Sequence, residues 1–121
     1  MEKVFYNKLI RDKIPDKILK KGSKLKTRKL NTKEFEIALR KILEEEAGGV
    51  MSAKNKSELT KELADVRTII KELQRTNKIS TTQLQVAERI ENKLKGKFKK
   101  HLFLIWSSKD DYKTNEKRYK K

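Results

Sequence analysis

Between Phe35 and Leu94 the apolar residues return every three or four positions in three successive stretches, and that spacing commits the centre of the chain to helices. The first stretch carries Phe35, Ala38, Leu39, Ile42, Leu43 and Ala47 on one face. Asn31 and Glu34 precede it at the spacing of a capping box. Gly48 and Gly49 are expected to end this helix, since each is about 1 kcal/mol less favourable than Ala in a helix interior. A second helix is expected from near Ser57, carrying Leu59, Leu63, Val66, Ile69, Ile70 and Leu73 to a turn about Asn77. A third is expected from Ser80 or Thr81, carrying Leu84, Ala87, Ile90 and Leu94 and stopping at Gly96. Pro15 suits a helix start and Gly22 a helix stop, so a short helix is expected over 15–21. His101 to Trp106 is a brief apolar run, either a strand-like extension or a segment packed on the helices. No internal repeat is present. The expected class is an all-α helical bundle, with short extended segments at the N-terminus and near 101–106.

The chain has 121 residues, a length that suits one domain. Apolar residues make up 35% and charged residues 41%, a lean supply for a core. Either much of the surface is solvated helix, or a partner subunit helps cover the apolar faces. The absence of cysteine excludes disulfides, thiolate nucleophiles and Cys-ligated zinc. A single histidine, His101, excludes multi-His metal sites and leaves a Ser-His-Asp triad a poor fit. No apolar stretch approaches the roughly 18 residues of a membrane span, and no signal-peptide pattern opens the chain. A cytoplasmic protein with no membrane partner is the expectation.

Charge is unevenly distributed. Residues 1–33 hold 12 basic and 3 acidic side chains, and residues 93–121 hold 11 and 3; residues 34–92 hold 10 and 11. Two basic flanks thus enclose an acid-bearing centre. Such flanks attract polyanions, whether nucleic acid or the phosphates of a small molecule. From Ser107 to Lys121 the chain is polar and mostly charged, so 1–106 reads as the domain and 107–121 as a basic, flexible tail.

The central acids fall in two groups. Glu44, Glu45 and Glu46 are consecutive on the first long helix, and Glu58, Glu62 and Asp65 make a stripe at i, i+4 and i+7 on the second. Antiparallel packing could bring four of these carboxylates together, which is the hard-oxygen environment that Mg²⁺ requires. The alternative is plain solvation with lysine partners four residues away, as for Lys41 and Glu45, Lys54 and Glu58, or Lys61 and Asp65. Spacing alone leaves both readings open.

Four segments carry a resemblance. Tyr6-Asn7-Lys8-Leu9-Ile10-Arg11-Asp12-Lys13-Ile14-Pro15, then Lys41-Ile42-Leu43-Glu44-Glu45, then Glu62-Leu63-Ala64-Asp65-Val66, then Lys95-Gly96-Lys97-Phe98 with Leu102-Phe103-Leu104 occur in that order. Together they resemble the MazG-like and phosphoribosyl-ATP pyrophosphohydrolase-like proteins, all-α nucleoside triphosphate pyrophosphohydrolases. The resemblance implies a bundle that forms a homodimer or higher homo-oligomer. It implies hydrolysis of a nucleoside triphosphate between the α- and β-phosphates, giving a nucleoside monophosphate and pyrophosphate. It also implies Mg²⁺, or Mn²⁺, on Glu44, Glu45, Glu62 and Asp65, with catalytic roles for Glu44 and Glu45. Lys8, Arg11, Lys13, Lys95 and Lys97 are the implied phosphate-binding residues.

The chain departs from that pattern at two places. Glu-Glu-x-x-Glu is expected on the first acidic helix, but Gly48 stands at the third position and Gly49 follows. Glu46 lies about 200° around the helix from Glu44 and is expected to face away. Thr68 stands where an acid is common in relatives with this opening. Loss of an anionic ligand lowers metal affinity. Three outcomes follow: activity with fewer ligands, replacement of the missing oxygen by Glu58, or a degenerate relative that binds nucleotide or nucleic acid through its basic flanks without hydrolysing it.

Overall fold

Asn31 caps the first of the two long helices. Its side-chain oxygen accepts the Glu34 backbone N–H at 2.8 Å, and the Glu34 carboxylate accepts the Asn31 N–H at 3.2 Å, completing the capping box the sequence announces. In the computed structural model, which describes residues 2–108, the chain forms four helices: α1 (Ile14–Lys20), α2 (Thr32–Ser52), α3 (Lys56–Thr76) and α4 (Thr81–Lys95). Among the described residues there is no strand. The all-α class is thus what the chain adopts. The chain falls into two compact units, Met1–Gln85 and Val86–Lys121, and α4 begins in the first and continues into the second. Of the expected tail, all but Ser107 and Ser108 lies outside the described residues.

Within the first unit, α2 and α3 pack side by side as a hairpin joined by Ala53–Asn55. The turn is fastened by reciprocal bonds. Asn55 accepts the Glu58 N–H at 2.9 Å, and the Glu58 carboxylate accepts the Lys54 N–H at 2.8 Å. At the other end of the hairpin, Glu36 of α2 accepts hydrogen bonds from Thr76, the last residue of α3, and from Asn77, which caps it. The helices therefore run antiparallel. Leu39 and Ile69, 3% and 9% exposed, are the buried residues at the seam. The seam is thin because α2 and α3 are the closely packed pair, and large apolar side chains such as Leu59, Leu63 and Ile70 stay exposed.

α2 does not stop at Gly48 and Gly49, as propensity suggests, but continues to Ser52, with extended Ala53 (φ −60°, ψ 130°) ending it. Packing overrides propensity here, as most helical stability comes from a tertiary face. Gly49 lies on the seam, and the Ser52 hydroxyl donates to the carbonyl oxygens of Gly48 and Gly49. α1 begins with Pro15 in its first turn, and Gly22 at φ +82° follows it, both as expected. Residues 101–106 form no regular structure, and their side chains are exposed rather than packed on helices.

The hydrogen bonds from Asn77, Arg40 and Thr76 hold the Glu36 carboxyl below the usual carboxylate range. A depressed group stabilises the fold above its unfolded pKa and loses that contribution as pH falls through the folded value. Glu36→Ala is therefore expected to lower the thermal midpoint at neutral pH, with the deficit shrinking below the ordinary glutamate range. Thermal melts across acid pH check this.

Candidate metal centre

The same helical phase that puts Leu39, Ile42 and Leu43 on the inner side of α2 also turns Glu46 inward, seven residues beyond Leu39 and three beyond Leu43. On α3 the phase of Val66, Ile69 and Leu73 carries Glu62 and Asp65 with it. One carboxylate oxygen from each of Glu46, Glu62 and Asp65 lies within 4.8 Å of the others. All three side chains are half-buried. The acids are thus a continuation of the apolar seam toward the turn end of the hairpin, where carboxylates replace leucine and isoleucine.

The expectation that Glu46 faces away is corrected by this register. Glu44 is indeed about 200° from it, but Glu44 is the exposed one. Gly49 shares the inward phase with Glu46. A Cβ placed on Gly49 would meet the Glu62 carboxylate at 2.4 Å, whereas one on Gly48 would meet nothing within 4 Å. The glycine that matters at the seam is therefore Gly49, one residue beyond the expected position. Missing from the expected ligand set in this cluster are Glu44, exposed, and Glu45, exposed and turned to Lys8. Glu58 is occupied in the α2–α3 turn.

Crowding three carboxylates has an electrostatic consequence. Partial burial holds the Glu46 carboxyl above its ordinary range, reinforced by a hydrogen bond with Glu62 and by the charges of Asp65, Glu62 and Glu45. Neither Glu46 nor Glu62 has a cationic partner among the described residues.

Two cations reach the rim of the cluster from the segment before α1. Asn7, in the left-handed region at φ 46°, turns the chain just before Lys8, whose Nζ lies 2.8 Å from Glu45 Oε1. Arg11, whose carbonyl accepts the Ile14 N–H in the turn that opens α1, places Nη1 3.1 Å from Asp65 Oδ1. Both pairs are substantially exposed, and pairs of this kind contribute about 0–1 kcal/mol. They are easily exchanged. Lys13 stands at the start of α1 and makes no ion pair among the described residues. Lys95 and Lys97 belong to the second unit, where Lys95 pairs with Glu91 at 2.6 Å.

The donor set is all hard oxygen, as Mg²⁺ and Mn²⁺ prefer. Oxygens on opposite sides of a magnesium ion stand about 4.1 Å apart, at about 2.0–2.1 Å per bond. The three oxygens, within 4.8 Å of one another, lie close to that span. The residues fit a hard divalent cation. Compared with known proteins, the chain matches no protein-family model, no curated protein and no solved structure.

Proposed function

We propose that the chain is a Mg²⁺- or Mn²⁺-dependent nucleoside triphosphate pyrophosphohydrolase, acting between the α- and β-phosphates. The observation that carries this reading is the carboxylate cluster of Glu46, Glu62 and Asp65, with Lys8 and Arg11 at its rim. The ordered resemblance of the four sequence segments supports it. A divalent ion held by the three acids would supply charge neutralisation at the phosphates and Lewis-acid activation of water. Arg11 and Lys8, held only by weak exposed pairs, turn from the acids to the polyphosphate and stabilise charge gathering on the leaving pyrophosphate. Once Lys8 has left it, Glu45 is free to take the proton of the attacking water. The water oxygen bonds to the α-phosphorus as the bond to the bridging oxygen breaks, and pyrophosphate leaves with that oxygen. Glu44, on the exposed side of α2, has no part in this scheme.

The enzyme works as a homodimer in this reading. Leu59, Leu63 and Ile70 form a second apolar row on α3, exposed beside the seam. With Leu39 and Ile69 the buried apolar residues among those described, a second copy supplies the cover that the hairpin lacks.

Pyrophosphate release from a panel of ribo- and deoxynucleoside triphosphates, with Mg²⁺ or Mn²⁺, tests the activity. Release of equimolar monophosphate and pyrophosphate is the expected result. Folded protein that releases pyrophosphate from none of them overturns it, and nucleotide binding without turnover then assigns the chain as a degenerate relative.

A further inference from the structure

We infer that the end of α4 and the segment that follows it, residues 86–106, form a contact surface for anionic lipid. This does not depend on the hydrolase reading, and it departs from the expectation of no membrane partner. No helix among the described residues is long and apolar enough to cross a bilayer, but a surface contact needs no such helix.

Two features coincide in this unit. Val86, Ile90 and Leu94 recur every four residues on α4, all exposed, with Arg89 and Lys93 beside them. Beyond Gly96, the run Phe98 to Trp106 keeps its apolar side chains 60–92% exposed. Lys97, Lys99 and Lys100 are interleaved with the start of that run and make no ion pair among the described residues. Apolar side chains that lie open beside a block of cations fit a surface that is itself apolar below and anionic above. An anionic bilayer has both, taking the apolar groups to the acyl boundary and the lysines to the headgroups. Trp106 closes the run with the side chain that prefers that interface.

Single-stranded nucleic acid would use the lysines and could stack on Phe98, Phe103 and Trp106. It would leave Leu102, Leu104 and Ile105 with nothing to contact, so the aliphatic half of the segment favours lipid.

Trp106 is the chain's one tryptophan, so its emission reports this segment directly. The full chain is mixed with vesicles of phosphatidylcholine alone, or of phosphatidylcholine with phosphatidylglycerol. A blue shift, with quenching by lipids brominated in the acyl chains, is expected on the anionic vesicles only. Lys99→Gln/Lys100→Gln is expected to weaken vesicle binding about thirtyfold, equivalent to about 2 kcal/mol for two surface lysines. Unchanged emission on anionic vesicles overturns the inference. So does a shift produced by an oligonucleotide and not by vesicles, which identifies nucleic acid. A shift that follows protein concentration alone also overturns it and identifies a second copy as the cover.

Discussion

Glu46→Gln is expected to remove most pyrophosphate release while making the metal-free protein more stable. The variant keeps the shape of the side chain and removes one of three crowded negative charges. Relief of two like-charge contacts contributes roughly 0.5–1 kcal/mol, which for a chain of this size moves the thermal midpoint about 2–4 °C upward. The pH dependence gives the sign independently. Glu46 holds its proton to higher pH in the folded chain than in the unfolded one. Between the ordinary value of about 4.5 and the raised value, the folded state therefore binds the extra proton, and stability falls as pH rises through that window. The Gln variant lacks this decline. Added Mg²⁺ reverses the order, because a cation bound to the native cluster stabilises the parent and not the variant. Activity is expected to fall on the order of a hundredfold, the upper range for losing even a supporting partner of a metal ligand. Melts with and without Mg²⁺, alongside a pyrophosphate assay, check each part. A variant that is destabilised without metal and fully active would remove Glu46 from the site.

The adjacent glycines should separate helix stability from site geometry. Gly48→Ala places a methyl group in open space within a helix, so it is expected to stabilise by up to about 1 kcal/mol and to leave turnover unchanged. Gly49→Ala gains the same helical preference but drives its Cβ into the Glu62 carboxylate. The Glu62 side chain is flexible and can swing aside, so the fold survives while the cluster opens. A loss of turnover of tenfold or more is expected, with the thermal midpoint at or above that of the parent. Paired measurements of midpoint and rate distinguish this from simple misfolding. Equal rates in the two variants would show that Glu62 does not need the seam position.

The helices were legible because their determinants are local. Asn31 with Glu34, Pro15, Gly22 and Gly96 act within a few residues, and the structure uses each as a helix boundary. Gly48 and Gly49 misled because the intrinsic weakness of glycine yields to tertiary packing of the helix as a whole; Gly49 makes room for the Glu62 carboxylate, whereas Gly48 lies in open space. The acids on α3 were legible as a group, since Glu62 and Asp65 lie on one face with Val66 and Ile69. On α2 the choice among three consecutive glutamates depends on the phase of the seam. The apolar stripe narrowed the choice without settling it: Glu46 follows Leu39 by seven and Leu43 by three, but Glu45 follows Ala38 by seven and Ile42 by three, and only the burial of Leu39 at the seam selects Glu46. The ion pairs of Lys8 and Arg11 span 37 and 54 residues, and no local rule reaches that far.

The link between the two long helices is only three residues, Ala53–Asn55. Contacts across so short a connection are close in sequence, so chain closure costs little and the hairpin can form early in folding. Glu46, Glu62 and Asp65 are therefore expected to meet near the start of the process, before distant segments need arrive. Mutual repulsion among them would then oppose nucleation itself, and added salt is expected to speed refolding, which stopped-flow refolding across salt concentrations checks.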